Sequence, residues 1–437
     1  MQDKGSTKLG MYLDEIFTAS PESIDPDNYI IAKYYVESPL GLRSSGIAIA
    51  TEESIGTWTE ISTTNEWVKT KLPARVFKTE GEGDAGIVHV AFPMDLFDIE
   101  ASGIANILSM IAGNLFGLSA IRNVRLMDVE FPKSVVRYYP GPRFGIDGVR
   151  KLVGTDKSPR PHLGTIVKPK VGLNPVQTAN VSYEAAMGGV DFIKDDETLV
   201  NQKFCPLEER VSKVMSALDK AKSETGRTVL FAVNVTGAPD KMVKNAEVAM
   251  DNGCNTLMLD IIILGLPTVE WFVKEYDFKV PIHMHRAMHA AFTRNPKHGI
   301  SMLPIAKIAR MLGGDQLHVG SGAGKMGGEE GIAVELQSIL KFLKSDWFGT
   351  KKTFPVASGG IHPGYVPANF MAFGKDFVIN AGGGIHGHPL GTRGGAAAMK
   401  QAIEACVKGI SIDEYAKTHR ELDLALKQWG EKRLSED

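Results

Sequence analysis

The run Lys194-Asp195-Asp196-Glu197 sets one amine beside three carboxylates. If it ends a β-strand, side chains alternate, so Lys194 and Asp196 share a face and Asp195 points away. Glu197 sits where the strand stops and can turn inward. Two carboxylates with water suit Mg2+, a hard cation that takes oxygen ligands. The lysine is the difficulty, because an ammonium repels such a metal. It would have to lose its proton, or become an anion by reacting with CO2. The plainer reading is a surface salt-bridge cluster, and the residue types alone leave both open.

Comparable groups recur downstream and upstream. They are Lys168-Pro169-Lys170, His283-Met284-His285-Arg286 with His289 beyond, His318 before a glycine-rich loop carrying Lys325, Ser358-Gly359-Gly360, and Gly382-Gly383-Gly384. Arg286, His318 and Lys325 suit an anionic group. The glycines suit backbone N–H groups that approach a phosphate. Two anion sites on opposite sides of one rim suggest a substrate phosphorylated at both ends, with Lys168 and Lys325 facing its middle. Taken singly, a strand-end lysine snorkels into solvent, a histidine pair is a structural hydrogen bond and Ser-Gly-Gly is a turn. Their coincidence favours a site. Two motifs fail on context. Gly382–Gly387 matches a dinucleotide-binding glycine pattern but is followed by His388-Pro389, and the Gly320–Lys325 loop lacks the first glycine and the Ser/Thr of a P-loop. His386-Gly387-His388 has no acidic third ligand nearby and reads as structural.

These groups need a frame that brings strand ends together. From about residue 160, short apolar strands alternate with longer helical stretches. Eight candidates stand out: 163–167, 191–194, 229–235, 256–261, 281–285, 316–319, 354–357 and 377–380. Eight βα units within about 250 residues is the size of a TIM barrel, whose catalytic groups sit at the C-terminal strand ends. An open doubly wound sheet is the structural rival, with fewer strands in this length. Before residue 140, strands at 29–36, 86–92 and 124–131 and a helix at 104–113 mix without strict alternation. The fold expected is therefore α/β: a C-terminal (β/α)8 TIM barrel over 141–437, ending in a charged helical extension from Ser411, with an N-terminal α+β domain over 1–140. Pro140–Gly145 is the expected linker.

Composition narrows the partners. With 49 basic and 51 acidic residues the net charge is −2, so neither nucleic acid nor an anionic membrane is an expected partner. The three cysteines are far apart, which excludes a disulfide framework. The amino-terminal residues carry no apolar signal segment, and the most apolar run, 256–266, contains Asp260; a cytoplasmic protein is expected. Glycine is over-represented, at 46 of 437 residues against a usual share of about 7%.

Lys168-Pro-Lys170-Val-Gly172, Gly188–Glu197, His285–Arg294, Gly324-Lys325-Met326 and Ser358-Gly-Gly360 resemble the large subunit of ribulose-1,5-bisphosphate carboxylase/oxygenase (RuBisCO). Glu52–Trp58 and Gly113–Gly117 extend the resemblance to the N-terminal half, so it covers nearly the whole chain. Residues 293–299 and 354–364 look most like archaeal form III enzymes, which lack small subunits and process ribulose bisphosphate from nucleotide breakdown.

The resemblance implies Mg-dependent carboxylation, and oxygenation, of ribulose 1,5-bisphosphate to 3-phosphoglycerate, with CO2 and O2 as the gaseous partners. Lys194 would be carbamylated by an activating CO2 and would bind Mg2+ with Asp196 and Glu197; the carbamate would remove the C3 proton. Lys325 would close over the site and steady CO2. His285 would assist proton transfers, and Lys168 would protonate the carbanion left by C2–C3 cleavage. Lys170 and His289 would support these groups. One phosphate would meet Thr57, Trp58, Gly360, Gly382 and Gly383, with Gly359 beside them, and the other would meet Arg286 and His318. Ser358 would bond a substrate hydroxyl. Glu52, Thr57, Trp58 and Asn114 would reach a neighbour's barrel mouth, implying a homodimer or a ring of dimers without small subunits. Ile166 stands where plant-type enzymes carry threonine, with the hydroxyl of Thr165 one place earlier. The competing functions are a RuBisCO-like enolase or isomerase acting on a related phosphosugar, and a non-catalytic phosphosugar-binding barrel. The first typically loses one of the lysines, and the second gives no reason for the lysine beside two carboxylates.

Overall fold

The computed structural model describes residues 16–56, 62–324 and 330–430. Among them the strands are β1 (Tyr29–Glu37), β2 (Arg75–Glu82), β3 (Ala85–Pro93), β4 (Asn123–Glu130), β5 (His162–Ile166), β6 (Phe192–Lys194), β7 (Leu230–Asn234), β8 (Thr256–Asp260), β9 (Ile282–His285), β10 (Gly299–Ile300), β11 (Gln316–His318), β12 (Phe354–Ser358) and β13 (Val378–Ala381). The chain divides into two compact units, Met1–Tyr139 with Met288–Ile308, and Pro140–Ala287 with Ala309–Asp437.

The first unit is built on a five-stranded sheet of order β10-β4-β1-β3-β2. β1 is central and antiparallel to both neighbours. Its Tyr34 is fully buried and donates its hydroxyl to Ile111 O at 2.7 Å, in the helix Gly103–Ala112. β2 and β3 form a hairpin in which Glu82 pairs with Ala85 across Gly83-Asp84. Residues 288–308, within the stretch expected to form the barrel domain, group in compactness with this unit. β10 pairs in parallel with β4, Gly299 opposite Arg125. Arg125 donates to Thr293 O at 3.0 Å, and Lys307 Nζ lies 2.6 Å from Asp128 Oδ1. These partners lie some 170 residues away in sequence, beyond any local pattern.

The second unit is a closed barrel of order β11-β12-β13-β5-β6-β7-β8-β9, every neighbouring pair parallel. The strands are the eight read from the sequence. One end of the interior is apolar: Phe192, Leu230, Met258, Phe354, Val356 and Val378 pack with Ile146 and Val149 of the helix Gly145–Val153. Asp315 fastens that helix, accepting from the amides of Phe144 and Gly145 at 2.7 Å each. Two helices, Ile412–Ala416 and Arg420–Trp429, form the charged extension. No helix among the described residues is long and apolar enough to cross a membrane.

Candidate active site at the barrel mouth

The C-terminal end of β6 carries the amine and carboxylates. Lys194 and Asp196 are buried on the inner side, whereas Asp195 faces outward and pairs with the fully buried Arg210 at 3.1 Å. Strand alternation thus does what the sequence predicts. Lys194 Nζ donates to Asp195 O at 2.7 Å and lies 3.8 Å from Glu197 Oε2. Asp196 Oδ2 is 2.7 Å from Lys168 Nζ, and its Oδ1 accepts from Thr198 Oγ1 at 3.0 Å. The turn that aims Glu197 inward is held from β7, where Asn234 Nδ2 donates to Asp196 O and Glu197 O at 3.3 and 3.2 Å.

Burial holds the Lys194 amine below the usual lysine range, even though Glu197, Asp196 and Asp195 oppose the shift. For Asp196, burial pushes upward, but the bond and charge of Lys168 outweigh it and leave the carboxyl below its usual value. No group of three His, Cys, Asp or Glu among the described residues is arranged to hold a metal ion. Asp196 and Glu197 supply two oxygen donors, and the third position beside them is an amine that burial already inclines toward its neutral form. That set fits Mg2+ when the amine carries a carboxylate of its own.

The end of β9 adds His285. Its Nδ1 is 3.1 Å from Asp260 Oδ1 and its Nε2 is 3.9 Å from Glu197 Oε2. Asp260 also accepts from Ala287 N at 2.9 Å. The His285 ring packs edge-on against His318, centroids 4.6 Å apart. His318 is bonded through both nitrogens, Nδ1 to Ser358 Oγ at 2.8 Å and Nε2 to His283 Nε2 at 2.9 Å. An anion that bonds His318 must displace one of these partners. Arg286 makes no hydrogen bond or ion pair with another described residue, and burial pulls its guanidinium down to about 10. It passes over Gly320, where a Cβ would stand 2.9 Å from Arg286 Nη2. Glycine there makes the arginine's path possible.

The glycine loops follow β12 and β13, which pair Ser358 opposite Asn380. A Cβ at Gly382 would stand 3.1 Å from Lys168 Cε, so this loop abuts the lysine. Lys168, Lys194, Asp196, Glu197 and His285 therefore converge, and His318 and Ser358 stand beside them. Lys170 is exposed. In the first unit, Asn114 Nδ2 lies 3.4 Å from Glu52 Oε1, and His289 Nδ1 lies 2.8 Å from Thr293 Oγ1. Thr57, Trp58 and Lys325 lie outside the described residues. The hydroxyl of Thr165 does not replace the one missing at Ile166, because it donates to Ala381 O at 2.7 Å on the other face of β5. His386 and His388 are structural, bonded to Ile166 O and Glu421 O, each at 2.9 Å.

Comparison with known proteins now bears on this geometry. The catalytic domain of the ribulose bisphosphate carboxylase large chain matches residues 145–429, and its N-terminal domain matches residues 20–135. The chain belongs to the ribulose bisphosphate carboxylase large-chain family. Among relatives, the ribulose bisphosphate carboxylase of Methanocaldococcus jannaschii is 45% identical over 87% of this chain and 92% of its own. That of Pyrococcus furiosus is 44% identical over 97% and 99%. An octameric RuBisCO from Pyrococcus horikoshii superposes with a TM-score of 0.89 at 40% identity, covering 97% of this chain and 98% of its own. A dimeric archaeal RuBisCO from Hyperthermus butylicus gives 0.84 at 39% identity, covering 96% and 100%. These archaeal relatives agree with the form III resemblance.

Against this RuBisCO frame, the sequence reading left out Asp260, Asn234 and Gln316, and gave His283 no role. Asp260 was within reach, since it ends β8 in the position that carries chemistry on the neighbouring strands. Asn234 ends β7 in the same way. Gln316 and His283 lie deeper, and nothing local in the sequence reveals what they touch.

Proposed function

We propose that this chain carboxylates ribulose 1,5-bisphosphate, yielding 3-phosphoglycerate, with oxygenation as a side reaction. The observation that carries this reading is the buried Lys194 amine between Asp196 and Glu197, with Lys168 and His285 around it, in a chain of the RuBisCO family. Lys194 reacts as the neutral amine with an activating CO2, releasing a proton to solvent, and the carbamate, Asp196 and Glu197 would then hold Mg2+. The metal, when bound, supplies Lewis-acid polarisation of substrate oxygens.

The chain's own residues do the rest. A carbamate oxygen on Lys194 takes the C3 proton, giving an enediolate. Asp260 accepts from His285 Nδ1–H, which leaves Nε2 as the basic atom toward the site and suits it to shuttle protons. Lys168, released from Asp196, protonates the carbanion left by C2–C3 cleavage. Lys325 steadies the incoming CO2 as it becomes a carboxylate. Gly359, Gly360, Gly382 and Gly383 offer backbone donors to one phosphate, which Thr57 and Trp58 of a neighbouring subunit also meet. Arg286, with no carboxylate bonded to it among the described residues, meets the other beside His318. Ser358 bonds a substrate hydroxyl, and Lys170 and His289 support the groups around them. Glu52 and Asn114, a contacting pair, complete a neighbour's site, so the working unit is a homodimer or a ring of dimers. The octameric and dimeric relatives support that assembly.

Incorporation of labelled CO2 into 3-phosphoglycerate, after preincubation with CO2 and Mg2+, tests the reading. Absence of label after preincubation would sink it.

A further inference from the structure

Four side chains form one unbroken run of hydrogen bonds from the barrel interior to its mouth. Gln316 Oε1 is 2.8 Å from His283 Nδ1, His283 Nε2 is 2.9 Å from His318 Nε2, and His318 Nδ1 is 2.8 Å from Ser358 Oγ. Gln316, His283 and His318 are all buried. Gln316 Nε2 has no hydrogen-bond partner among the described residues. The two rings meet at 88°, their Nε2 atoms facing one another.

Two nitrogens at 2.9 Å need one proton between them, and two lone pairs or two N–H groups facing each other would repel. Burial pushes both imidazoles well below the usual histidine range, so each ring is neutral and carries one proton. Placing one proton then places all the others. An amide oxygen only accepts, so His283 carries its proton on Nδ1 and presents a lone pair at Nε2. His318 must donate from Nε2, which leaves its Nδ1 bare. Ser358 in turn must donate to that nitrogen, and its oxygen keeps only lone pairs for the barrel mouth. Turning the Gln316 amide over would reverse every bond and free the Ser358 O–H instead.

We propose that Gln316 is a positioning residue whose amide oxygen sets the direction of this run, so that Ser358 meets the ligand as a hydrogen-bond acceptor and selects a hydroxyl donor there. The inference rests on the bisphosphate reading for the identity of that hydroxyl, but not for the direction of the bonds. A phosphate or carbonyl oxygen facing Ser358 would find no donor. The oxygen of Ser358 is thus a specificity element, and the residue that fixes it lies three hydrogen bonds away.

Neutron diffraction from crystals of the full chain exchanged into D2O reads the protons directly, whatever the enzyme's substrate. We expect deuterium on His283 Nδ1 and His318 Nε2 and none on His318 Nδ1. Deuterium on His318 Nδ1, or on both nitrogens of either ring, overturns the proposal. A second arm uses Gln316→Met, which keeps length without an acceptor. Its KM for ribulose 1,5-bisphosphate should rise about tenfold with kcat within about twofold, and adding Ser358→Ala should change KM by less than about twofold more. Fully additive effects of the two substitutions would show that Gln316 does not act through Ser358. Failure of carboxylation with the expected deuterium pattern would remove the proposed function and leave the hydrogen-bond direction standing.

Discussion

Lys168 Nζ sits 2.7 Å from Asp196 Oδ2, so a proposed proton donor and a proposed metal ligand neutralise each other in this structure. The pair is partly exposed on the lysine side and buried on the carboxylate side. A divalent cation that takes Asp196 must compete with the ammonium, and loading the site releases Lys168 toward the substrate. Lys168→Met should therefore tighten Mg2+ binding in the presence of CO2 roughly fivefold, about 1 kcal/mol, while abolishing turnover. Calorimetric titration with Mg2+ checks it, and weaker binding would mean that Lys168 supports the metal site.

Lys194 is buried with no role in packing the apolar end of the barrel. Lys194→Met should leave the fold intact and give no rise in activity on preincubation with CO2 and Mg2+, a rise expected of the parent chain. The progress curve after preincubation is the measurement. A variant that still activates would refute the carbamate assignment.

Asp260 fixes which nitrogen of His285 faces the site. An asparagine retains the shape but can turn its amide N–H toward Nδ1, favouring the wrong tautomer. Asp260→Asn should lower kcat about 10–100-fold with little change in KM. A change confined to KM would place Asp260 in substrate binding instead.

Behind β6, Arg210 and Asp195 form an ion pair with both side chains buried. Removing only the arginine strands a carboxylate, whose remaining partner is the amide of Asn234 at 3.1 Å. Arg210→Met should cost about 3–5 kcal/mol in denaturant unfolding, and Arg210→Met with Asp195→Asn should cost less. A double variant no better than the single one would locate the loss in packing around Arg210.

Glu53 adjoins the Glu52–Asn114 pair. Its Oε2 accepts from Gly113 N at 2.8 Å, while its Oε1 has no hydrogen-bond partner among the described residues. Burial pushes this carboxyl up to about 7 from 4.5, the backbone amides of Gly113 and Asn114 opposing it and the charge of Glu52 adding to it. Between those values the folded chain holds a proton that the unfolded chain has released, so this group's effect on stability turns unfavourable as pH rises from about 4.5 to about 7. Glu53→Gln, a fixed copy of the protonated form, should melt like the parent at pH 4.5 and above it at pH 8. Parallel melting curves across that range would show that Glu53 does not carry the effect.

The barrel was legible because each of its strands is a short apolar run bounded by helical stretches, and the chemistry stands at their ends. β2 escaped because only Val76 of its eight residues is buried, so its charged sequence carries little apolar signal. β10 has two residues, and its partner β4 is remote in sequence. Lys194 and Asp196 could be read together because strand alternation puts them on one face, and Glu197 joins them because the turn after the strand carries it inward. The partners of His285 and His318 lie on other strands, and the pairing of β9 with β8 and with β11 brings Asp260 and His283 to them.

Ile146 and Val149 close the apolar end of the barrel against Phe192, Leu230 and Phe354. The site is in that sense a cul-de-sac. Under the proposed reaction, bisphosphate, gas and three-carbon products share the doorway at the mouth, because apolar side chains fill the opposite end of the barrel. Turnover then obliges a complete vacating of the mouth in every cycle, and accumulated 3-phosphoglycerate contends with ribulose bisphosphate for the same threshold.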